Sequence, residues 1–484
     1  MADVQQQAKG LSEDWLSVWI GLLVLALSLG LLGGTDLLGW VVRTAVWTDP
    51  AKSLSALSAG YSKVPGVVAL IGTYVFLLVL MTAGAAVMKA KPARFAAAFT
   101  AVFWLSYLAW VGGSWAHFAA TTPAEMHKLG IGWSLRLTNE GGYIVALALG
   151  LVIGNFFPGV ARALGEAVRP ELYIKTAIVI LGGFLAVTAA EKLSLAGSLM
   201  FRGLAAIIEA YLVYWAVVYF VARKWFGFSR EWAAPLASGI SICGVSAAIA
   251  TASAIRARPV VPAMVSSLVV VFAVVELIVL PFVAQAFLSH EPMVAGAWMG
   301  LAVKTDGAAI ASGTITESLI LAAAAAQGIQ YKAGWILSTT ATVKVFIDVF
   351  IGVWAFLLAW IWTTKINVRP GERARAVEIW ERFPKFILGF LASFAVILGL
   401  ALSAGPELGA RLRAAVGEAN TFRGIFFVMT FFTIGVLSDF RRLWAEGLGR
   451  LAAVYAVSLF GFVIWVGLAI SFLFFAGVKP PLAP

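Results

Sequence analysis

Charge is what this chain has least of. Of its 484 residues only 12% are Asp, Glu, Lys or Arg, while 61% are hydrophobic, and a water-soluble globule carries about twice that charged share. A soluble fold is excluded. Cysteine is nearly missing as well: Cys243 stands alone, so no disulfide can form within the chain. The three histidines, His117, His127 and His290, are scattered and give no metal-ligand spacing, so neither a metal nor another cofactor is expected. No Gly-x-x-x-x-Gly-Lys-Ser/Thr run occurs, which leaves ATP-driven pumping without support. Residues 1–14 hold one lysine and three acids, with none of the basic start and small-residue cleavage pattern of a signal peptide.

What remains is apolar sequence in long runs. About 20 apolar residues are needed to cross ~30 Å of hydrocarbon, and about 13 segments approach or meet that length. The expected fold class is therefore an all-α polytopic membrane protein. The net charge of +11 comes from short Lys and Arg clusters between spans, not from a basic domain, so no nucleic-acid partner is expected and the lipid bilayer is the first partner. With a cytoplasmic N-terminus, alternation puts four basic clusters inside, at residues 89–94, 223–230, 365–385 and 441–450, and the C-terminus outside. Arg256 and Arg258 break the rule, falling outside just after the segment that ends near residue 256.

That segment holds the most unusual stretch. Ten of the fourteen residues at 237–250 are Gly, Ala, Ser or Cys, a poor lipid-facing helix, and non-helical backbone at membrane depth survives only where protein encloses it or a cavity meets it. A broken helix is expected there. Free N–H groups and the positive dipole end at the restart of such a helix suit an anion. Ser238, Ser241 and Ser246 add hydroxyls, Gly239, Cys243 and Gly244 leave room, and the thiol reads as a small packing group. Transporters that build a midplane site from inverted repeats have a second broken helix. Counting five spans onward reaches Thr430, Thr433, Gly435 and Ser438. The expected division is 1–139 as accessory spans and a surface loop, 140–288 as a first repeat with its break near 237–250, and 289–477 as a second with its break near 430–439.

Ionisable residues inside spans are functional suspects. The run at 300–313 carries three glycines with Lys304, Thr305 and Asp306 between them, so it should be unwound or enclosed. Lys304 would offer positive charge to an anion, and Asp306 would accept a coupling proton or restrain the lysine; a purely structural Lys304–Asp306 pair is the bland alternative. Lys344 and Asp348 stand four apart on one helix face, close enough to pair. Glu209 and Glu276 lie deep in apolar runs, either as hydrogen-bonded neutral carboxyls or as proton carriers. Lys175, Arg202 and Glu317 lie near span ends, where snorkelling explains such groups.

Four ordered motifs carry a resemblance. Ser241-Ile242-Cys243-Gly244-Val245-Ser246-Ala247, the run at 147–155 ending Gly154-Asn155, Thr342-Val343-Lys344, and Gly435-Val436-Leu437-Ser438-Asp439-Phe440-Arg441 resemble signatures of a bacterial membrane family assigned as sulfate exporters, over residues 143–475. That family is grouped with cation/proton antiporters and bile-acid-type symporters. The resemblance implies an inverted-repeat fold with two unwound helices crossing at the midplane, a homodimer in the bacterial inner membrane, and transport of sulfate, sulfite or a related anion. Two departures bear on substrate and coupling ion: Lys304-Thr305-Asp306 stands where many relatives have a His followed by an acid, and Ile347 where relatives tend to have Arg.

The combined expectation is a secondary transporter, not an enzyme. A small anion would be bound by Ser238, Gly239, Ser241, Cys243, Gly244, Ser246, Lys304, Thr305 and Lys344. Asp306, Glu209, Glu276 and Asp348 would serve a coupling proton or sodium ion. The rivals are a membrane-embedded enzyme using Cys243 or an intramembrane carboxylate, and a non-transporting sensor, which would be favoured by a soluble signalling domain; none is visible.

Overall fold

Apolar runs in hydrocarbon become helices because every backbone polar group must then be paired within its own segment. The structure, a computed structural model, describes residues 11–120, 123–135, 141–191, 193–258, 260–366, 380, 384–438 and 449–483. In chain order its main helices are α1 (Glu13–Ser28), α2 (Gly66–Val87), α3 (Pro92–Gly113), α4 (Gly141–Phe156), α5 (Pro170–Glu191), α6 (Leu193–Trp225), α7 (Arg230–Ser241), α8 (Val245–Ala254), α9 (Val260–Leu288), α10 (Pro292–Ala302), α11 (Asp306–Ala326), α12 (Trp335–Ile366), α13 (Phe386–Ser403), α14 (Pro406–Leu437) and α15 (Gly449–Phe475). One small antiparallel pair, β1 (Val42–Thr44) with β2 (Leu54–Ala56), is the only sheet among the described residues. Eleven helices among the described residues are long and apolar enough to cross a membrane, or twelve if the bent pair Gly141–Phe156 and Pro158–Ala167 is one span. The chain is an all-α polytopic membrane protein, with slightly fewer such helices than the about 13 expected.

Two compact units divide the chain: Met1–Lys192 with Lys385–Leu437, and Leu193–Pro384 with Ser438–Pro484. The units cut across the expected boundaries at 139 and 288. In the first unit α5 is packed by α1, α13 and α14, and α4 lies along α14. Lys175 is no snorkelling end group; its ammonium is 2.8 Å from Asp14 and 3.3 Å from Glu171, and Asp14 also accepts from the Lys385 amide at 3.0 Å. α4 and α14 touch backbone to backbone. A Cβ on Gly150 would lie 2.1 Å from the Phe432 carbonyl oxygen, and one on Gly435 would lie 2.5 Å from that of Leu147.

Of the expected second break near 430–439, residues 430–437 hold none, and Ser438 follows the helix end. α14 runs unbroken through Leu437, while Asp439 lies outside the described residues. Thr430 and Thr433 point their hydroxyls back at the Phe426 and Met429 carbonyls, at 2.8 and 2.7 Å, which a continuous helix tolerates. Gly435 serves close helix packing, the usual role of small residues between membrane helices. Residues read as helix-weakening are packing devices here.

In the second unit the break at 237–250 is real but of another kind. Thr251 donates to the Ser238 hydroxyl at 2.7 Å, although thirteen residues along a straight helix span about 20 Å. Arg258 Nε reaches Glu231 at 3.0 Å, joining the two outer ends. α7 and α8 are therefore antiparallel arms of a helical hairpin turning at residues 242–244, not halves of one crossing helix. Gly244 makes the turn with φ +72°, a conformation that costs other residues sterically. At the return end Arg256 takes φ +56° and the Ala257 amide donates to Ala252 at 2.8 Å, closing α8 with a left-handed cap.

α10 and α11 form a second hairpin. Thr340 on α12 donates to the Gly296 carbonyl at 2.7 Å, and its Oγ1 would lie 2.6 Å from a Cβ on Gly313. The two glycines would be about 25 Å apart on a straight helix. The turn is extended at Val303 (φ −82°, ψ 123°), and Thr305 caps the restart by accepting from the Ala308 amide at 3.2 Å. So the run at 300–313 does unwind, at residues 303–305, and a second discontinuity of this unit lies there. Glu317, read as an end group, instead accepts from the amides of Gly334 and Leu337 at 2.9 and 3.0 Å, which caps the start of α12.

The two hairpins enter from opposite ends of this unit. Arg450, at the start of α15, donates to Phe226 just before the first hairpin. Gly477, past the other end of α15, donates to Glu291 at the mouth of the second at 2.8 Å, and at the same end the Lys332 amide donates to Pro481 and the Ala483 amide to Gln330, both at 2.7 Å. The intervening 27 residues of α15 span about 40 Å, and arms of 12 and 11 residues bring the tips together near the middle. The base of the first hairpin packs Ala234, Ala254 and Ile255 against Ala359 and Trp362 of α12.

Candidate functional site at the hairpin tips

The tips touch. A Cβ on Gly244 would lie 2.9 Å from Thr305 Cγ2 and 3.3 Å from the Lys304 carbonyl oxygen. The first arm of each hairpin ends at the tip with carbonyls that lack a partner within their own helix, and the second arm starts there with N–H groups that lack one likewise, of which the Ala308 amide is capped by Thr305. Lys344, reaching in from α12, joins the two: its ammonium donates to the carbonyl oxygens of Ile242 at 2.9 Å and Lys304 at 3.1 Å. Its ion pair, 3.7 Å long, is with Asp306. The expected partner one turn along, Asp348, is not the one it takes. Both partners are buried, so the lysine ties three elements in a region shut off from water.

Lys304 is engaged separately. Its Nζ donates to the Leu301 carbonyl and stands 4.3 Å over the Tyr214 ring, a cation–π contact. Its backbone N–H donates to Glu276 at 2.9 Å, and Tyr455 supplies that carboxyl a second donor at 3.3 Å. The bland Lys304–Asp306 pair is replaced by Lys344–Asp306. Glu209 is buried at the start of a π-helical turn, Glu209–Tyr214, a feature frequent at functional sites. Neither of its carboxyl oxygens has a hydrogen-bond partner.

The cysteine sits inside this cluster. Cys243 Sγ and one carboxyl oxygen each from Asp306 and Asp348 lie within 4.8 Å of one another, all three residues buried. They come from the first tip, the second tip and α12. Cys243, Gly244, Lys304, Thr305, Asp306, Lys344 and Asp348 are thus brought together, with Glu276 beside them. Other expected residues play different parts. The Ser238 hydroxyl is used up by Thr251 and by Trp215 Nε1 at 2.9 Å, so it clasps the hairpin. Gly239 sits 3.2 to 3.5 Å, by its missing Cβ, from Val265, Val269 and Ala248, where it serves arm packing. The Ser241 hydroxyl is buried without a partner. The Ser246 side chain lies outside the described residues, as does the motif at 439–441. Arg258 is paired with Glu231, and the Arg256 backbone closes α8.

Sequence reasoning missed the carbonyl oxygens of Ile242 and Lys304, which carry no side-chain signal, and the tyrosines: Tyr211 donates to Ile347 at 2.5 Å and Tyr214 to Val463 at 2.9 Å. Thr340 was within reach, two residues before Thr342 and one turn before Lys344.

A family model described as "Conserved hypothetical protein 698" matches residues 132–454. Among relatives, a UPF0324 membrane protein of Nitrosomonas europaea is 42% identical over 476 residues, covering 97% of each chain. Another, from Rhodopirellula baltica, is 32% identical over 84% of this chain and 66% of its own. A third, from Nitratidesulfovibrio vulgaris, is 30% identical over 70% of this chain and 55% of its own. The Nitrosomonas match takes in the N-terminal spans, which lie before the residues the family model covers. No solved structure matches. The chain belongs to the UPF0324 family of membrane proteins.

Proposed function

We propose that this protein is a secondary active transporter of a small anion, sulfate, sulfite or a related sulfur-containing organic anion, coupled to protons or Na⁺ and working by alternating access. The observation that carries this reading is the meeting of two hairpin tips, from opposite ends of one unit, on the buried Lys344. Discontinuous helices near mid-membrane are how secondary transporters expose a polar site inside hydrocarbon. Each hairpin reaches the site from one end, so displacing either would open it to that side alone.

An anion would meet the N–H groups that open α8 and α11, together with Lys344, once that ammonium leaves its carbonyl seat. Asp306, Asp348, Glu209 and Glu276 supply the coupling. Four carboxyls against two ammoniums leave the cluster short of positive charge, which protons or a cation would supply, because uncompensated buried charge is costly. The hairpin also repairs the positive-inside exception. If α7 and α8 enter and leave on one face, Arg256 and Arg258 join Arg223, Lys224, Arg230 and Arg450 on it. This supports a cytoplasmic basic face, a cytoplasmic N-terminus and an outer C-terminus, in the inner membrane of a bacterium. A homodimer remains the working assembly, by the resemblance noted above.

The test is flux of radiolabelled sulfate, sulfite and a small organosulfonate into proteoliposomes, under a pH gradient, a Na⁺ gradient or neither. Gradient-driven uptake that Lys344→Met abolishes is expected. Absence of uptake of every such anion under both gradients would overturn the reading.

A further inference from the structure

We propose that Cys243, Asp306 and Asp348 form a binding site for a borderline-soft divalent cation such as Zn²⁺, assembled only when the two hairpin tips meet on α12. The three ligand atoms lie within 4.8 Å of one another, and they are the one such group among the described residues. Tetrahedral bonds of about 2.0–2.3 Å put ligand atoms roughly 3.3–3.8 Å apart, so about an ångström of inward movement closes the site. The donors sit on two turns and a side chain one helical turn from Lys344, where such movement needs no repacking of a helix.

A second observation points to a ligand. Oδ1 of Asp348 is buried, with no hydrogen-bond partner, and the residue is 1% exposed, an arrangement that costs the fold free energy unless something binds there. The neighbourhood already favours positive charge: the Lys344 ammonium sits on two tip carbonyls, 3.7 Å from Asp306. Charge balances on binding. The thiol gives up its proton to become a thiolate, and a thiolate with two carboxylates carries three negative charges, which one divalent cation and the Lys344 ammonium match. A thiolate ligand selects against Mg²⁺ and Ca²⁺, which take oxygen only. Three protein ligands leave a fourth position open, the pattern of exchangeable rather than structural sites. This inference stands apart from the anion reading, since the site would bind its cation whether or not an anion is carried.

The chain's single cysteine makes the test specific. Cd²⁺ alone, titrated into the full-length protein in detergent, should raise a thiolate-to-cadmium charge-transfer band that saturates at one ion per chain and is competed by Zn²⁺. Cys243→Ser should abolish the band. Asp348→Asn should weaken Cd²⁺ binding at least tenfold, and Asp36→Asn, in the other unit, should leave it unchanged. If Asp348→Asn does not fold, thermal unfolding of the unaltered chain with and without Zn²⁺ decides: stabilisation that Cys243→Ser removes supports the site, and no stabilisation overturns it. No band, or equal affinity in the unaltered chain and Asp348→Asn, overturns it as well. A silent band with intact anion uptake removes the cation site and spares the transporter; a saturable band without uptake does the reverse.

Discussion

Lys344→Met keeps the length of the side chain and removes its charge, and three interactions go with it. The ammonium's hydrogen bonds to the carbonyls of Ile242 and Lys304 are charge-assisted, each contributing about 1.5–3 kcal/mol. Asp306 loses its ion-pair partner, and breaking a buried pair by removing one member costs about 3–5 kcal/mol. Against these losses stands the relief of no longer burying an ammonium, itself several kcal/mol. The net expectation is a destabilisation of about 3 kcal/mol, read by reversible denaturation in mixed micelles. If the loss comes from the Asp306 carboxylate left without the Lys344 ammonium, adding Asp306→Asn should restore at least about 1 kcal/mol, within the range of coupling for residues in contact. A single variant as stable as the parent, or a coupling within about 0.3–0.5 kcal/mol of zero, would refute the claim that Lys344 holds the tips together through Asp306.

Gly244→Ala would place a Cβ 2.7 Å from Val269 Cγ1 and 2.9 Å from Thr305 Cγ2, at φ +72°; strain of about 1–3 kcal/mol should part the tips and cut anion uptake more than tenfold. Thr340→Val gives up the bond to Gly296 at nearly constant volume, and denaturation should register a loss of about 1 kcal/mol. Gly150→Leu drives a side chain into the Phe432 carbonyl, 2.1 Å from the Cβ position, and fluorescence-detected size exclusion should find the protein aggregated. Glu231→Gln breaks an ion pair whose arginine side chain is 66% exposed, so stability should change by less than about 1 kcal/mol; a larger loss would mean that this pair, rather than arm packing, holds the hairpin.

Composition alone made the fold class legible, and the small residues at 237–250 and the Lys304-Thr305-Asp306 run marked the two hairpin turns. What composition could not supply was direction. A glycine-rich break reads the same whether the next helix continues or turns back, and only contacts thirteen or more residues apart, such as Ser238 with Thr251, decide between them. Arg256 and Arg258 were the available clue: an exception to the positive-inside rule is what a hairpin counted as a crossing would produce. Thr430, Thr433 and Gly435 misled for a related reason, since side chains that back-bond to a helix and glycines that let helices touch have the same composition as a break. At the site, Lys344 and Asp306 were legible as buried charges, but their pairing to each other across elements was not, because spacing favours Lys344–Asp348 and Lys304–Asp306. Ser238 had the chemistry of a ligand donor and is consumed by its neighbours.

Two hairpins that enter from opposite faces and meet must each have both outer ends on one face. In a Cys243→Ala background, single cysteines at Ser229 and Arg258 flank the first hairpin, and at His290 and Gln327 the second; all four positions are exposed. Labelling with a membrane-impermeant maleimide, on sealed and then on opened vesicles, reports the face of each. Positions 229 and 258 should share one face, and 290 and 327 the other. Labelling of 229 and 258 from opposite faces would make α7 and α8 a crossing helix and contradict the hairpin.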